Sequence, residues 1–206
     1  MKLYYIWDAY CGWCYGFEGI FTPFMEKHPE LEVHITSGGL FTGKRIKPLS
    51  TYDFMKSGNE QIKSIYGAAF SEAYNSQLNK GELVINSNHP AIAYSLIKAY
   101  LAPQEHVAFV YAMQKKFFQE GKSLSDLGTY AELIETYQLP EILNEELAAS
   151  WDNYSLAEED FNLAAQMGVT SYPTLIAEKD GTFYDLRQNA YTLADLEANY
   201  QRLLRA

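Results

Sequence analysis

The chain has 206 residues, of which 48% are hydrophobic, 20% charged and 15% aromatic. That is enough apolar material for a full core and too well mixed for a disordered or collagen-like chain. A formal net charge of -10, with no local run of Lys or Arg, repels phosphate backbones and leaves nucleic acid out of the expected partners.

The first apolar stretch, residues 3–7, is shorter than a signal-peptide core of roughly 7–15 residues. No later run approaches the roughly 18 residues that span a bilayer, so the expectation is a cytoplasmic protein with no membrane partner. The chain carries only 2 cysteines, three positions apart, which would staple almost nothing as a structural disulfide. In a reducing compartment such a pair points to catalysis or to a metal.

Tyr4, Tyr5, Ile6 and Trp7 favour a short buried strand. A helix follows, with Phe17, Ile20, Phe21, Phe24 and Met25 on one face and Pro29 as its stop, which puts Cys11 at the helix entrance. Leu31 to Ile35 alternates as a second strand ended by Gly38-Gly39, glycines read as turn formers. Residues 49–167 read as helical, with only Leu83-Val84-Ile85 as an ambiguous strand. The apolar stripes are Ile92, Leu96, Ile97 and Tyr100, then Phe109, Val110, Met113 and Phe117, then Leu127, Tyr130, Ala131 and Ile134. Ser155 to Glu158 predicts a capping box for a helix ending at Gly168. Two strands, 174–179 and 182–186, are joined by Asp180-Gly181, and a last helix capped at Thr192 buries Leu196, Tyr200, Leu203 and Leu204. The expected architecture is α/β, with β-α-β (1–48) and β-β-α (168–206) halves around an inserted all-α block (49–167).

A helix N-terminus offers unpaired N–H groups and the positive end of its dipole, so Cys11 is expected to be the acidic, exposed thiol. Cys14, one turn further in, would then resolve the mixed disulfide that Cys11 forms. Zinc shares this spacing, but its structural sites want four ligands, and His28, His34, His89 and His106 are isolated, so no metal is expected. Two inert buried cysteines are the other alternative, one that suits a helix boundary poorly. Tyr10, Trp13 and Tyr15 flank the pair, so some of them should be exposed, whereas Tyr4, Tyr5 and Trp7 should be core.

Cys11-Gly12-Trp13-Cys14 after a first strand, a helical insertion, and Tyr172-Pro173-Thr174 opening a β-β-α half together resemble the DsbA-like family of the thioredoxin superfamily. The run Asp8 to Phe17 is similar to its FrnE-type branch of protein disulfide isomerases. The order of elements matches over essentially the whole chain. The resemblance implies a thioredoxin-like fold and a cis Pro173 facing the cysteines, where proline blocks metal and leaves the Tyr172 backbone free to pair with substrate. Gly12-Trp13 departs from the pairs of the better-known members, and Trp13 either packs over the sulfurs and limits access or offers an apolar platform to an unfolded substrate. Many relatives place a carboxylate six positions before the first cysteine to accept the second cysteine's proton, and here that position is Tyr5. Asp8 is the nearest acid, either a proton acceptor or simply the cap of the turn. His89 either approaches Cys11 under the helical roof or caps its own helix.

The resulting expectation is a disulfide reductase or isomerase. It would need no bound cofactor, would act on a disulfide- or thiol-bearing protein or a small thiol, and would exchange electrons with glutathione or a thioredoxin-type partner; the oligomeric state stays open. The alternatives are a thioredoxin-fold protein-binding adaptor and a glutathione-dependent small-molecule isomerase or transferase.

Overall fold

The computed structural model describes residues 1–205; Ala206, at the end of the expected C-terminal half, lies outside them. The chain runs β1 (Lys2–Trp7), α1 (Gly12–Lys27), β2 (Glu32–Ser37), β3 (Lys47–Pro48), α2 (Phe54–Tyr66), α3 (Glu72–Lys80) and β4 (Val84–Ile85). It continues α4 (Asn88–Ile97), α5 (Glu105–Phe118), α6 (Leu127–Thr136), α7 (Ile142–Ser150), α8 (Ser155–Gln166), β5 (Thr174–Lys179), β6 (Thr182–Asp185) and α9 (Leu193–Arg205).

The β-favouring run in β1 makes it a central strand of a four-stranded sheet ordered β2-β1-β5-β6. It pairs parallel to β2, with Tyr5 opposite Ile35, and antiparallel to β5, with Tyr5 opposite Leu175 and Ile6 opposite Thr174. The last of these pairs sets Pro173 beside the end of β1 from which the chain turns toward Cys11. Tyr5 and Trp7 are buried as expected, whereas Tyr4 lies on the other face, half-buried, with its hydroxyl donating to Glu178.

The α/β expectation and the helical insertion both hold, with local differences. Residues 84–85 do form a strand, and its partner is Lys47–Pro48, too short and polar to signal itself. Pro23 lies inside α1, which runs on to Lys27. Ser155 does not cap α8: its hydroxyl donates to Asn153 instead, and Tyr154 takes the cap position. At α9 the box does form, with Asp195 N–H donating to Thr192 Oγ1 at 3.1 Å and Thr192 N–H to Asp195 Oδ2 at 2.9 Å, but Leu204 is exposed. Asp180 and Gly181 both take positive φ, 52° and 76°, as a tight hairpin of this kind requires.

The helical block grips the first β-α unit through aromatic contacts. Phe117, fully buried, meets Tyr10 edge-on at 4.9 Å and Tyr74 at 5.1 Å, and Tyr15 stacks on Phe118 at 4.7 Å. Edge-to-face rings of this kind add to the gain from area burial. Phe117→Ala is expected to cost about 3–5 kcal/mol of stability in urea unfolding. A loss below about 1 kcal/mol would mean that the two parts do not depend on this contact.

Candidate active site

α1 starts at Gly12, so Cys11 is its N-cap, with extended backbone (φ -81°, ψ 111°) and a side chain not engaged in capping. The turn before it is closed by Cys11 N–H donating to Asp8 O at 3.0 Å. Both cysteines are free thiols. Cys11 is only 5% exposed, contrary to the expected open thiol, because the turn folds it under the segment before β5; Cys14 is wholly enclosed. Burial pushes the Cys14 thiol well above its ordinary range, and the neighbouring Cys11 sulfur adds to the effect. Trp13 is half-buried against the edge of Tyr66, at 6.4 Å.

The Tyr172-Pro173 bond is cis, as the resemblance implied, and Pro173 is buried. The Cys11 thiol donates to the Tyr172 carbonyl at 3.7 Å. The Tyr172 ring turns away and donates its hydroxyl to Gly38 O. A Cβ on Gly38 would lie 2.1 Å from that ring, so this glycine is needed for close approach, where the sequence suggested only a turn.

Asp8 is 2% exposed. Its Oδ1 accepts Tyr10 N–H at 3.0 Å and its Oδ2 accepts Leu40 N–H at 2.7 Å, so the carboxylate ties the cysteine turn to the loop after β2. Burial raises its pKa, opposed by hydrogen bonds from Ser87, Leu40 and Tyr10. His89 stacks on Trp151 at 4.6 Å, with planes 2° apart, and Ser87 holds the cap position of α4. The structure thus gives His89 an aromatic partner in place of either a cap or a bond to Cys11. Tyr10 and Tyr15 are both buried, which leaves Trp13 as the partly open aromatic of the three. Among the described residues, no three His, Cys, Asp or Glu gather as a metal site, and no helix is long and apolar enough to cross a membrane.

Two residues here carry weight that the sequence did not disclose. Gln114 of α5, fully buried, donates Nε2 to Asp8 O at 3.1 Å and to Cys11 O at 3.3 Å, so the helical block holds the turn directly. Glu18 is also fully buried, one helical turn beyond Cys14, and burial pushes its carboxyl up to about 8. Each interrupts an otherwise apolar helix face, a signal that could have flagged both.

No protein-family model and no curated protein sequence matches the chain. Solved structures do. The cytosolic disulfide reductase DsbM from Pseudomonas aeruginosa is 22% identical and superposes with a TM-score of 0.83, covering 100% of this chain and 99% of that one. The chain has the fold of the DsbA-like thiol-disulfide oxidoreductases. A structure of DsbM with GSH gives a TM-score of 0.82 at 22% identity, covering 100% of both chains. A 2-hydroxychromene-2-carboxylate isomerase shares this DsbA-like fold more distantly, with a TM-score of 0.65 at 16% identity over 100% of this chain and 97% of that one.

A carboxyl whose pKa is raised by folding stabilises the fold while protonated, and that contribution is lost as the group is forced to ionise. Glu18 should therefore make stability fall as pH rises from about 4.5 through about 8. In urea unfolding from pH 5 to 9, Glu18→Gln is expected to flatten this fall. A variant that loses stability in parallel with the wild type would show that Glu18 is not the group responsible.

Proposed function

We propose that this chain is a thiol-disulfide oxidoreductase that reduces or isomerises disulfides in the cytoplasm, with Cys11 as nucleophile and Cys14 as resolving thiol. The observation that carries the reading is the contact of Cys11 Sγ with the Tyr172 carbonyl before Pro173, with Cys14 enclosed behind it. A sulfur that lies against the backbone of an extended segment is placed to meet a substrate chain bound along the same segment. Proline there offers no N–H to compete and holds the site against metal.

Cys11 thiolate attacks one sulfur of a substrate disulfide, forming a mixed disulfide and releasing the other sulfur as thiolate. Cys14, once deprotonated, attacks Cys11 Sγ; the Cys11–Cys14 bond forms and the second substrate thiol leaves. Two electrons pass from the dithiol to the substrate, and glutathione or a thioredoxin-type protein restores the dithiol. Tyr172 takes part through its backbone, since its ring is committed to Gly38. Trp13 supplies the apolar platform. The GSH bound to DsbM supports a small thiol as one substrate or reductant.

With a disulfide-bridged peptide, Cys14→Ser is expected to accumulate a mixed disulfide on Cys11, and Cys11→Ser to release no thiol, both read by mass spectrometry. Full turnover by Cys14→Ser with glutathione would instead favour a glutathione-dependent isomerase. Retention of cellular function by the double serine variant would favour an adaptor.

A further inference from the structure

β2 is an edge strand, and its pairing with β1 decides which of its backbone groups are spent. Gly38 N–H donates inward to Trp7 O at 2.7 Å, so by the alternation along a strand the N–H and C=O groups of Val33, Ile35 and Ser37 point outward. The fold covers one of these positions. Ser37 N–H donates to Oδ2 of Asp160, a buried carboxylate of α8, at 2.9 Å, and that oxygen stands where the carbonyl of a neighbouring strand would lie. Val33 and Ile35 have no such partner among the described residues. Nor does β2 carry a proline or a bulge to blunt its edge.

A cavity of about 1040 Å³ opens along that edge. Val33, Ile35 and Met25 line it from the α1 side, and Tyr4 and His34, stacked at 5.4 Å, line it from the other face of the sheet. The space therefore lies beyond the strand and not over one face. Its walls are the start of α5, with Val107, and α8, with the exposed Leu163. Neither cysteine borders it, nor does Tyr172 or Pro173. Free backbone groups at the floor of a two-walled channel suit an extended chain added as a further strand, with main-chain bonds for affinity and the walls for side chains.

The charge around the cavity is one-sided. Glu26, Glu32, Glu159 and Asp160 border it against a single lysine, Lys98, which lies 3.8 Å from Asp160. Glu32 is taken up by His34 at 2.8 Å, while Glu26 and Glu159 are exposed and form no ion pair among the described residues. His106, also at the border, is held below its ordinary pKa by burial and by Lys98, and so adds no cation at neutral pH.

We propose that this edge binds an extended polypeptide segment of alternating apolar and basic residues, which adds to β2 as a further strand of the sheet. The segment's backbone pairs with the N–H and C=O groups of Val33 and Ile35, and its apolar side chains enter the channel beside Val107 and Leu163. Its Lys or Arg side chains meet Glu26 and Glu159. The site is separate from the dithiol. That its occupant is a stretch of a substrate protein, held while Cys11 attacks a disulfide elsewhere in that protein, rests on the redox reading above.

The test uses the reduced full chain and two cysteine-free fluorescent peptides, one alternating valine with lysine and the other valine with glutamate. Anisotropy is expected to show saturable binding of the lysine peptide, with the glutamate peptide about tenfold weaker or more. Val33→Pro removes an outward N–H that β1 does not use, so it should keep the fold and weaken the lysine peptide about tenfold. Glu26→Gln combined with Glu159→Gln should weaken it about fivefold and flatten its salt dependence, a result that stands even if the proline variant folds poorly. In amide hydrogen exchange, Val33 and Ile35 should gain protection when the lysine peptide binds, whereas Ser37, already held by Asp160, should be slow throughout. Binding that leaves the Val33 and Ile35 amides unchanged, or equal affinity for the glutamate peptide, would overturn the proposal. So would protection of both amides that grows with protein concentration in the absence of peptide, which would give the edge to a second copy of the chain. With a disulfide protein that carries such a segment, Val33→Pro should raise KM about fivefold and leave turnover of a small aromatic disulfide within about twofold. If the wild type reduces neither substrate, the redox reading falls, while the peptide site is judged by anisotropy and exchange alone.

Discussion

The pairing of β1 with β5 is the constraint on which the site depends. Ile6 opposite Thr174 fixes Pro173 beside the end of β1, and the chain leaving β1 has only the turn from Asp8 to Cys11 before α1 begins. Two segments more than 160 residues apart in sequence are thereby held with Cys11 Sγ at 3.7 Å from the Tyr172 carbonyl. A one-residue slip in that register would turn Tyr5 and Trp7 out of the core and carry Pro173 away from the cysteines.

The second requirement is that a turn rich in backbone polar groups be buried without leaving them unpaired. The helical block meets it. Gln114 reaches in from α5 to the Asp8 and Cys11 carbonyls, while Asp8 receives the N–H groups of Tyr10 and Leu40. Tyr10 and Tyr15, placed by the motif, are spent on aromatic packing against Phe117 and Phe118 and not on substrate. The insertion is therefore part of the site's construction. The cost is a set of polar groups in the core, among them Glu18, whose Oε1 is enclosed without a hydrogen-bond partner.

Much of this was legible in the sequence because it is local. Cys11, Cys14 and the start of α1 follow from spacing and helix chemistry and the hairpin at Asp180-Gly181 from turn preference, while the role of Pro173 came from the family resemblance that the motifs carry. What was not legible depends on contacts across the chain. Gly38 reads as a turn residue until Tyr172, 134 positions later, is seen lying on it. His89 could have pointed anywhere until Trp151 supplied a stacking partner. The burial of Cys11 is invisible in the sequence for the same reason, since the Tyr172 segment against it comes from the far end of the chain.

The central claim is that Cys11 and Cys14 act as one two-electron couple, and equilibration of the reduced protein across a series of glutathione redox buffers tests it most directly. After acid quenching and alkylation, mass spectrometry is expected to show both thiols disappearing together, at a single midpoint, into a Cys11–Cys14 disulfide. Independent oxidation of the two cysteines, or a stable glutathione adduct on Cys11 with Cys14 still free, would contradict the account.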